Sequence, residues 1–167
     1  MLKYKAATAC VLACMIAITS LPSKVYAETY KFHVSRETDD IYSISGVDAV
    51  IKTEYCYEYS YGEDAIVTTN GYGGDIVFMS SGSECSIEGL YAKIDVDAGN
   101  YKVNITHEGD DWYEVDGTGM FIRTSLCLNL ALGSFAILTI NSSGYGEFIT
   151  DGDECSVDGI YERLKLN

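Results

Sequence analysis

The chain has 167 residues, and its 25 acidic residues outnumber its 11 basic residues, which gives a net charge of −14. A surplus of this size repels nucleic-acid phosphates and anionic lipid surfaces, so we expect no nucleic-acid partner. With 47% hydrophobic and 12% aromatic residues, the composition also excludes a disordered chain and indicates a folded one.

Residues 1–27 have the features of a secretory signal peptide. Two lysines precede a largely apolar run over residues 6–18, which is too short to cross a bilayer. Val25-Tyr26-Ala27 matches a small-residue cleavage site, so we expect the mature chain to start at Glu28. A competing interpretation is lipoprotein processing at Cys14. We therefore predict a secreted or periplasmic protein with no transmembrane segment after removal of the signal.

Removal of this leader makes the remaining chain more acidic. The leader takes three lysines and no acid with it, so residues 28–167 hold eight basic residues (11 − 3) and 25 acidic ones, a net charge of −17. A charge of this size keeps an exported protein soluble and is also compatible with cationic partners.

One segment of the mature chain occurs twice. Glu84-Cys85-Ser86-Ile87-Glu88-Gly89-Leu90-Tyr91 returns as Glu154-Cys155-Ser156-Val157-Asp158-Gly159-Ile160-Tyr161, with only like-for-like replacements. Matches continue upstream at a nearly constant offset, for example from Tyr42 to Tyr113. We interpret the pattern as duplication of a β unit, with repeat 1 at 28–97 and repeat 2 at 98–167.

Both repeats are predicted to form β-strands throughout. The strand-forming residues Tyr, Val, Ile and Thr dominate, and the turn-forming residues Gly, Asp, Asn and Ser separate them at short intervals. The fold prediction is all-β, with two tandem barrel-like or sandwich-like repeats of about 70 residues. The alternative is a single twelve-strand barrel or sandwich built from both repeats. The predicted strands are 29–35, 41–45, 49–60, 64–69, 75–80 and 86–94, then 100–106, 112–115, 119–131, 135–141, 146–150 and 156–166.

Four cysteines remain after the leader, and four cysteines allow three pairings. Each repeat holds one pair at matching positions, so we predict the disulfides Cys56–Cys85 and Cys127–Cys155. Each would contribute on the order of 3–4 kcal/mol in the chain-entropy model, which a unit this small needs. The rival pairing crosses between the repeats. The cysteine spacing does not favour zinc, and we expect no metal and no cofactor.

Each repeat contains a Gly-centred turn signal after its first cysteine. Gly62 and Gly133 each occupy the first central position expected of a two-residue type II′ hairpin. Before each glycine, large residues alternate with small or polar ones, and a period of two sends the two sets to opposite faces of a strand. The large residues are Tyr55, Tyr57, Tyr59 and Tyr61 in repeat 1, and Leu126, Leu128, Leu130 and Leu132 in repeat 2.

We interpret these two rows as core, because four leucines in succession favour burial. The alternatives are an interface between repeats or subunits, with self-association through the leucines, and a ligand platform on the tyrosines. Tyrosine rings stack on sugars and peptide aromatics, so the tyrosine row is the candidate binding site.

The acids and histidines carry weaker signals. Glu37, Asp39 and Asp40 match Glu108, Asp110 and Asp111, and Asp151-Gly152-Asp153-Glu154 only faintly resembles a calcium loop. We interpret these acids as turn residues. His33 and His107 do not match each other, and no catalytic set follows from either.

The sequence therefore predicts a non-enzymatic binding module, whose ligand is a protein or glycan and whose charge suits a cationic partner. One alternative is an envelope-associated, self-assembling protein. Another is an acidic inhibitor of a cationic secreted enzyme. A hydrolase that uses surface carboxylates is the third alternative, and it requires a carboxylate pair in a concave site.

Overall fold

The computed structural model describes residues 27–165, and all the regular structure in this range is β-strand. The predicted all-β class is confirmed, whereas the predicted leader lies outside the described residues except for Ala27. None of the described residues forms a helix that could span a membrane. The strands are β1 (Glu28–Thr38), β2 (Ile41–Ile44), β3 (Ala49–Thr53), β4 (Tyr61–Thr69), β5 (Gly74–Phe78), β6 (Glu84–Ile94), β7 (Gly99–His107), β8 (Trp112–Val115), β9 (Met120–Ser125), β10 (Leu132–Ile140), β11 (Gly146–Thr150) and β12 (Asp153–Leu164).

The strands close into two six-stranded barrels, one in each half of the chain. In the first half the order is β6-β3-β2-β1-β4-β5, and β5 pairs with β6 to complete the circle. The second half repeats the order as β12-β9-β8-β7-β10-β11, closed by the pairing of β11 with β12. Closure leaves no free sheet edge along the paired strands.

Each barrel has its own core, which forms because inward-facing residues alternate with outward-facing ones along the strands. In the first barrel Tyr42 packs on Phe78 with ring centroids 5.0 Å apart, and in the second Tyr113 packs on Phe148 at 5.0 Å. Both predicted disulfides are confirmed, one in each half. Cys56–Cys85 joins Cα atoms 5.6 Å apart, and Cys127–Cys155 joins Cα atoms 5.4 Å apart.

The two barrels share a seam, because β6 and β12 are longer than barrel closure requires. The last part of each strand stays paired with its own barrel along one edge, with Tyr91 opposite Val50 and Tyr161 opposite Phe121. Along the other edge β6 and β12 pair with each other, from Ile160 opposite Ile94 to Leu164 opposite Leu90. A third hydrophobic cluster covers this joint. It combines Ile41, Val50 and Tyr91 with their counterparts Trp112, Phe121 and Tyr161.

The duplicated segment supplies this seam. Tyr91 and Tyr161 enter the shared cluster, where the Tyr91 ring lies 5.0 Å from the rings of both Trp112 and Phe121. The glycine two residues earlier leaves room for this packing, since a Cβ on Gly89 would lie 2.8 Å from the Tyr91 ring.

A basic side chain of each half donates a hydrogen bond to a backbone carbonyl of the other half, next to the seam. Arg163 donates to the Glu88 carbonyl, and its counterpart Lys93 donates to the Asp158 carbonyl at 3.3 Å. Further from the pairing, Arg123 forms an ion pair of 2.7 Å with Glu37. The two halves therefore pack as partners across an approximate two-fold relation.

Two details of the predicted strands are wrong. The predicted strands 49–60 and 119–131 end at Thr53 and Ser125, and irregular segments follow. The predicted type II′ hairpins at Gly62 and Gly133 are also absent. Both glycines have positive φ, +85° and +63°, but each is the extra residue of a β-bulge at the start of β4 or β10.

We predict that Gly89→Ala destabilises the protein by about 1–3 kcal/mol, the usual cost of overpacking. The new methyl group must displace the Tyr91 ring, which is held between two other aromatic side chains. Urea unfolding at equilibrium measures the change.

The matched control is Gly159→Ala. Its Cβ would meet the flexible Lys93 side chain at 2.8 Å and the Tyr161 ring at 3.1 Å, so we expect a smaller loss. Equal effects at the two glycines would contradict this account of the seam.

Candidate interaction surfaces

The two rows lie on the surface, so their interpretation as core is wrong. The four residues of the tyrosine row (Tyr55, Tyr57, Tyr59 and Tyr61) are between 68% and 86% exposed. The leucine row (Leu126, Leu128, Leu130 and Leu132) is between 80% and 93% exposed. The predicted alternation of faces does occur, but the large residues occupy the outer face.

The disulfides explain this inversion. Cys56 must face inward to reach Cys85 on β6, and the period of two then turns Tyr57 outward. Tyr55 lies in a bend with a positive φ of +51° and also faces solvent. Ser60 completes the inner face and donates to the Val34 carbonyl at 2.8 Å.

Three contacts fix the backbone of the tyrosine row. The Cys56 N–H donates to the Asp40 carboxylate at 2.5 Å. The buried Tyr42 hydroxyl donates to the Glu58 carbonyl at 2.8 Å, and the Arg36 N–H donates to the Ser60 carbonyl at 2.8 Å. Asp40 is therefore a structural residue, as its interpretation as a turn residue implied.

The leucine row is held by the same three contacts. The Cys127 N–H donates to the Asp111 carboxylate at 2.9 Å, and the Tyr113 hydroxyl donates to the Asn129 carbonyl at 2.7 Å. The His107 N–H donates to the Ala131 carbonyl at 2.8 Å. The two halves thus present different side chains on one shared backbone frame.

Each row has a side of its backbone that is not hydrogen-bonded. The N–H and C=O of one residue of an extended chain point to the same side, and those of the next residue point to the other side. The carbonyls of Glu58 and Ser60 accept their hydrogen bonds on the inner side of the segment. The N–H and C=O groups of Tyr57 and Tyr59 therefore point to the opposite side. Within residues 27–165, no protein group forms a hydrogen bond with these groups or with those of Leu128 and Leu130.

The rows differ sharply in charge. Acids accompany the tyrosines at Glu54, Glu58, Glu63 and Asp64, and Lys31 and His33 lower the pKa of Asp64 by hydrogen bonding to it. The matching positions beside the leucines are Ser125, Asn129, Ser134 and Phe135. The sequence from 125 to 146 contains no charged residue, and Phe135 and Ile137 extend the exposed apolar surface.

A cleft of about 520 Å³ lies at the seam, beside the start of the leucine row. Four carboxylates line it, from Asp39, Asp110, Asp111 and Asp158. Three of the four have structural contacts: Asp39 pairs with Arg36, Asp111 holds the Cys127 N–H, and Asp158 accepts from the Ser125 hydroxyl.

The remaining sequence candidates lie apart from one another. His33 lies 3.4 Å from Asp64, and His107 lies 2.8 Å from the Asp110 carbonyl. The weak calcium-loop candidate is a tight hairpin between β11 and β12, with Asp151 and Gly152 both at positive φ. Across residues 27–165, no group of three His, Cys, Asp or Glu side chains is arranged to hold a metal ion.

Comparisons with protein-family models, curated proteins and solved structures found no match for this chain. Its surfaces must therefore be interpreted from their own chemistry. The two disulfides indicate an oxidising environment, such as the extracellular space or the periplasm.

Tyr42→Phe tests the frame beneath the tyrosine row. The substitution removes the hydroxyl that binds the Glu58 carbonyl, so we expect a loss of about 1 kcal/mol in the free energy of unfolding. Tyr113→Phe is the matched variant in the second half and should cost a similar amount. Denaturant unfolding measures both, and no change in either variant would contradict the role assigned to these hydroxyls.

Alkaline pH should destabilise the protein through its buried tyrosines. Burial raises the pKa of Tyr42 and of Tyr91 to about 12, above the ordinary value of 10.0. The unfolded chain therefore ionises first, and the stability present below about pH 10 falls as the pH rises towards 12. A pH titration followed by tyrosinate absorbance should show a tyrosine that ionises well above pH 10 and that is missing in Tyr42→Phe. Ionisation of every tyrosine near pH 10 in the folded protein would contradict this prediction.

Proposed function

We propose that the protein is an exported, non-catalytic interaction module that binds a partner protein through the leucine row. The exposure of Leu126, Leu128, Leu130 and Leu132, each at least 80%, is the observation that carries this proposal. Four exposed aliphatic side chains on one face form a contiguous apolar patch, and such patches mark interaction sites on folded proteins.

The surroundings of the row support this proposal. A disulfide, an aspartate and a buried tyrosine hold its backbone, so little conformational entropy is lost when a partner binds. The free N–H and C=O groups of Leu128 and Leu130 suit an extended partner segment that adds as a strand. We infer a partner segment with apolar side chains at every second position, because the leucines have that spacing.

The leader-like residues 1–27 and the two disulfides support export. The structural contacts of the seam carboxylates favour a binding role over hydrolysis, since Asp111 holds a backbone N–H and Asp39 pairs with Arg36.

A random peptide library displayed on phage tests the proposal. The mature protein should select peptides with alternating apolar residues, and Leu128→Ser/Leu130→Ser should weaken their binding at least tenfold, because truncating central contact residues removes most of an interface's affinity. The matched control is Tyr57→Ser/Tyr61→Ser, which should leave these peptides bound. Both double variants change exposed residues, so each should keep its unfolding midpoint. Selected peptides that bind the leucine variant as well as the original protein would overturn the proposal.

Self-assembly is the second candidate function, and the uncharged stretch from 125 to 146 favours it. Two copies could meet along this stretch without bringing their acidic surfaces together. Sedimentation velocity over a wide concentration range should then show dimers that Leu128→Ser/Leu130→Ser abolishes. A strict monomer at the highest concentration would remove this candidate.

A further inference from the structure

We propose that the tyrosine row is a second binding site, which takes an extended basic peptide segment with Lys or Arg at every second position. This site lies on the first barrel, and the proposal does not depend on the leucine row or on its partner.

The first support is chemical. The Arg36 guanidinium already lies over the Tyr59 ring, 4.4 Å from its centroid. The fold thus contains one cation–π contact on this row, and the exposed rings of Tyr55, Tyr57 and Tyr61 offer further faces for cations. From Tyr57 to Tyr61, rings on alternate residues are spaced about 7 Å apart, which matches alternate side chains of an added strand.

The second support is electrostatic, and it comes from the contrast between the halves. Glu54 and Glu58 alternate with the tyrosines along the chain, and the period of two places the Glu58 side chain on the opposite face of the segment from the rings. Within residues 27–165 the carboxylates of both glutamates form no ion pair or hydrogen bond. The matching residues beside the leucines are Ser125 and Asn129. Negative charge therefore flanks the aromatic row and is absent beside the aliphatic one, so it attracts a cation on the rings from the flank and not from the same face.

The third support is the backbone. The N–H and C=O groups of Tyr57 and Tyr59 point away from the barrel contacts of Glu58 and Ser60. An extended peptide can bond to them as an added strand, and its alternate side chains would then lie along the row. A neutral glycan could stack on the same rings, but it would leave the charges of the glutamates unused.

The probe is a fluorescent peptide of alternating lysine and threonine, about eight residues long so that it spans the row. Fluorescence anisotropy with the mature, disulfide-bonded protein measures its binding at low and high salt. A peptide of the same composition with its lysines clustered at one end tests for non-specific attraction to an acidic protein. A third peptide is methylated on alternate backbone nitrogens, and a neutral β-1,4-linked oligosaccharide is the glycan probe.

We expect the alternating peptide to bind more tightly than the clustered and the methylated peptides. Tyr57→Leu/Tyr61→Leu should weaken it about five- to thirtyfold, as the loss of two exposed cation–π contacts implies. Leucine occupies the matching positions of the second half, so the frame accommodates these side chains. Glu54→Gln/Glu58→Gln should weaken binding and reduce its dependence on salt.

Leu128→Ser/Leu130→Ser is the matched control and should leave peptide affinity unchanged. Equal affinity for alternating and clustered peptides, with no effect of the tyrosine variant, would show only non-specific attraction and overturn the proposal. Binding of the oligosaccharide but not of the peptide would overturn it in favour of a glycan site. Neither result would affect the leucine row, whose own test uses apolar peptides.

Discussion

The antiparallel pairing of β6 with β12 is the constraint on which the rest of the structure depends. Each strand closes its own barrel with its first part and joins the other barrel with its last part. The duplicated segment supplies a cysteine for the disulfide, a glycine that makes space and a tyrosine for the shared cluster. The seam thus explains why this segment is the most similar part of the two halves.

The seam also makes one packed unit of two small barrels. A barrel of this size supports only a modest core, so a covalent bridge in each half and a shared hydrophobic cluster between the halves both contribute to stability. Basic residues are scarce in this acidic chain, and several of them lie at the seam. Lys52 is the most buried of these, with Glu88 and the Glu108 carbonyl as its partners.

The two rows show how one frame serves two chemistries. In both halves a disulfide, an aspartate and a buried tyrosine hold the same stretch of backbone. The outward side chains contribute little to the cores, so they could change without loss of the fold. One copy has tyrosines among acids, and the other has leucines among neutral residues. This contrast is the reason for proposing a different partner for each half.

The sequence by itself determined the all-β class and the twelve strands, because strand periodicity and turn residues are local signals. It also determined both disulfides, because the duplication shows which cysteines correspond. It also predicted positive φ at Gly62 and Gly133, although these glycines form bulges and not hairpins. The exposure of the rows was decided by tertiary structure. A period of two separates two faces without saying which is buried, and a predicted disulfide leaves this open because it can lie on either face. Closure of the barrel places Cys56 and Cys85 against the core of the first half, and this makes the choice. The seam likewise required tertiary structure, since pairing between distant strands leaves no local pattern in the chain.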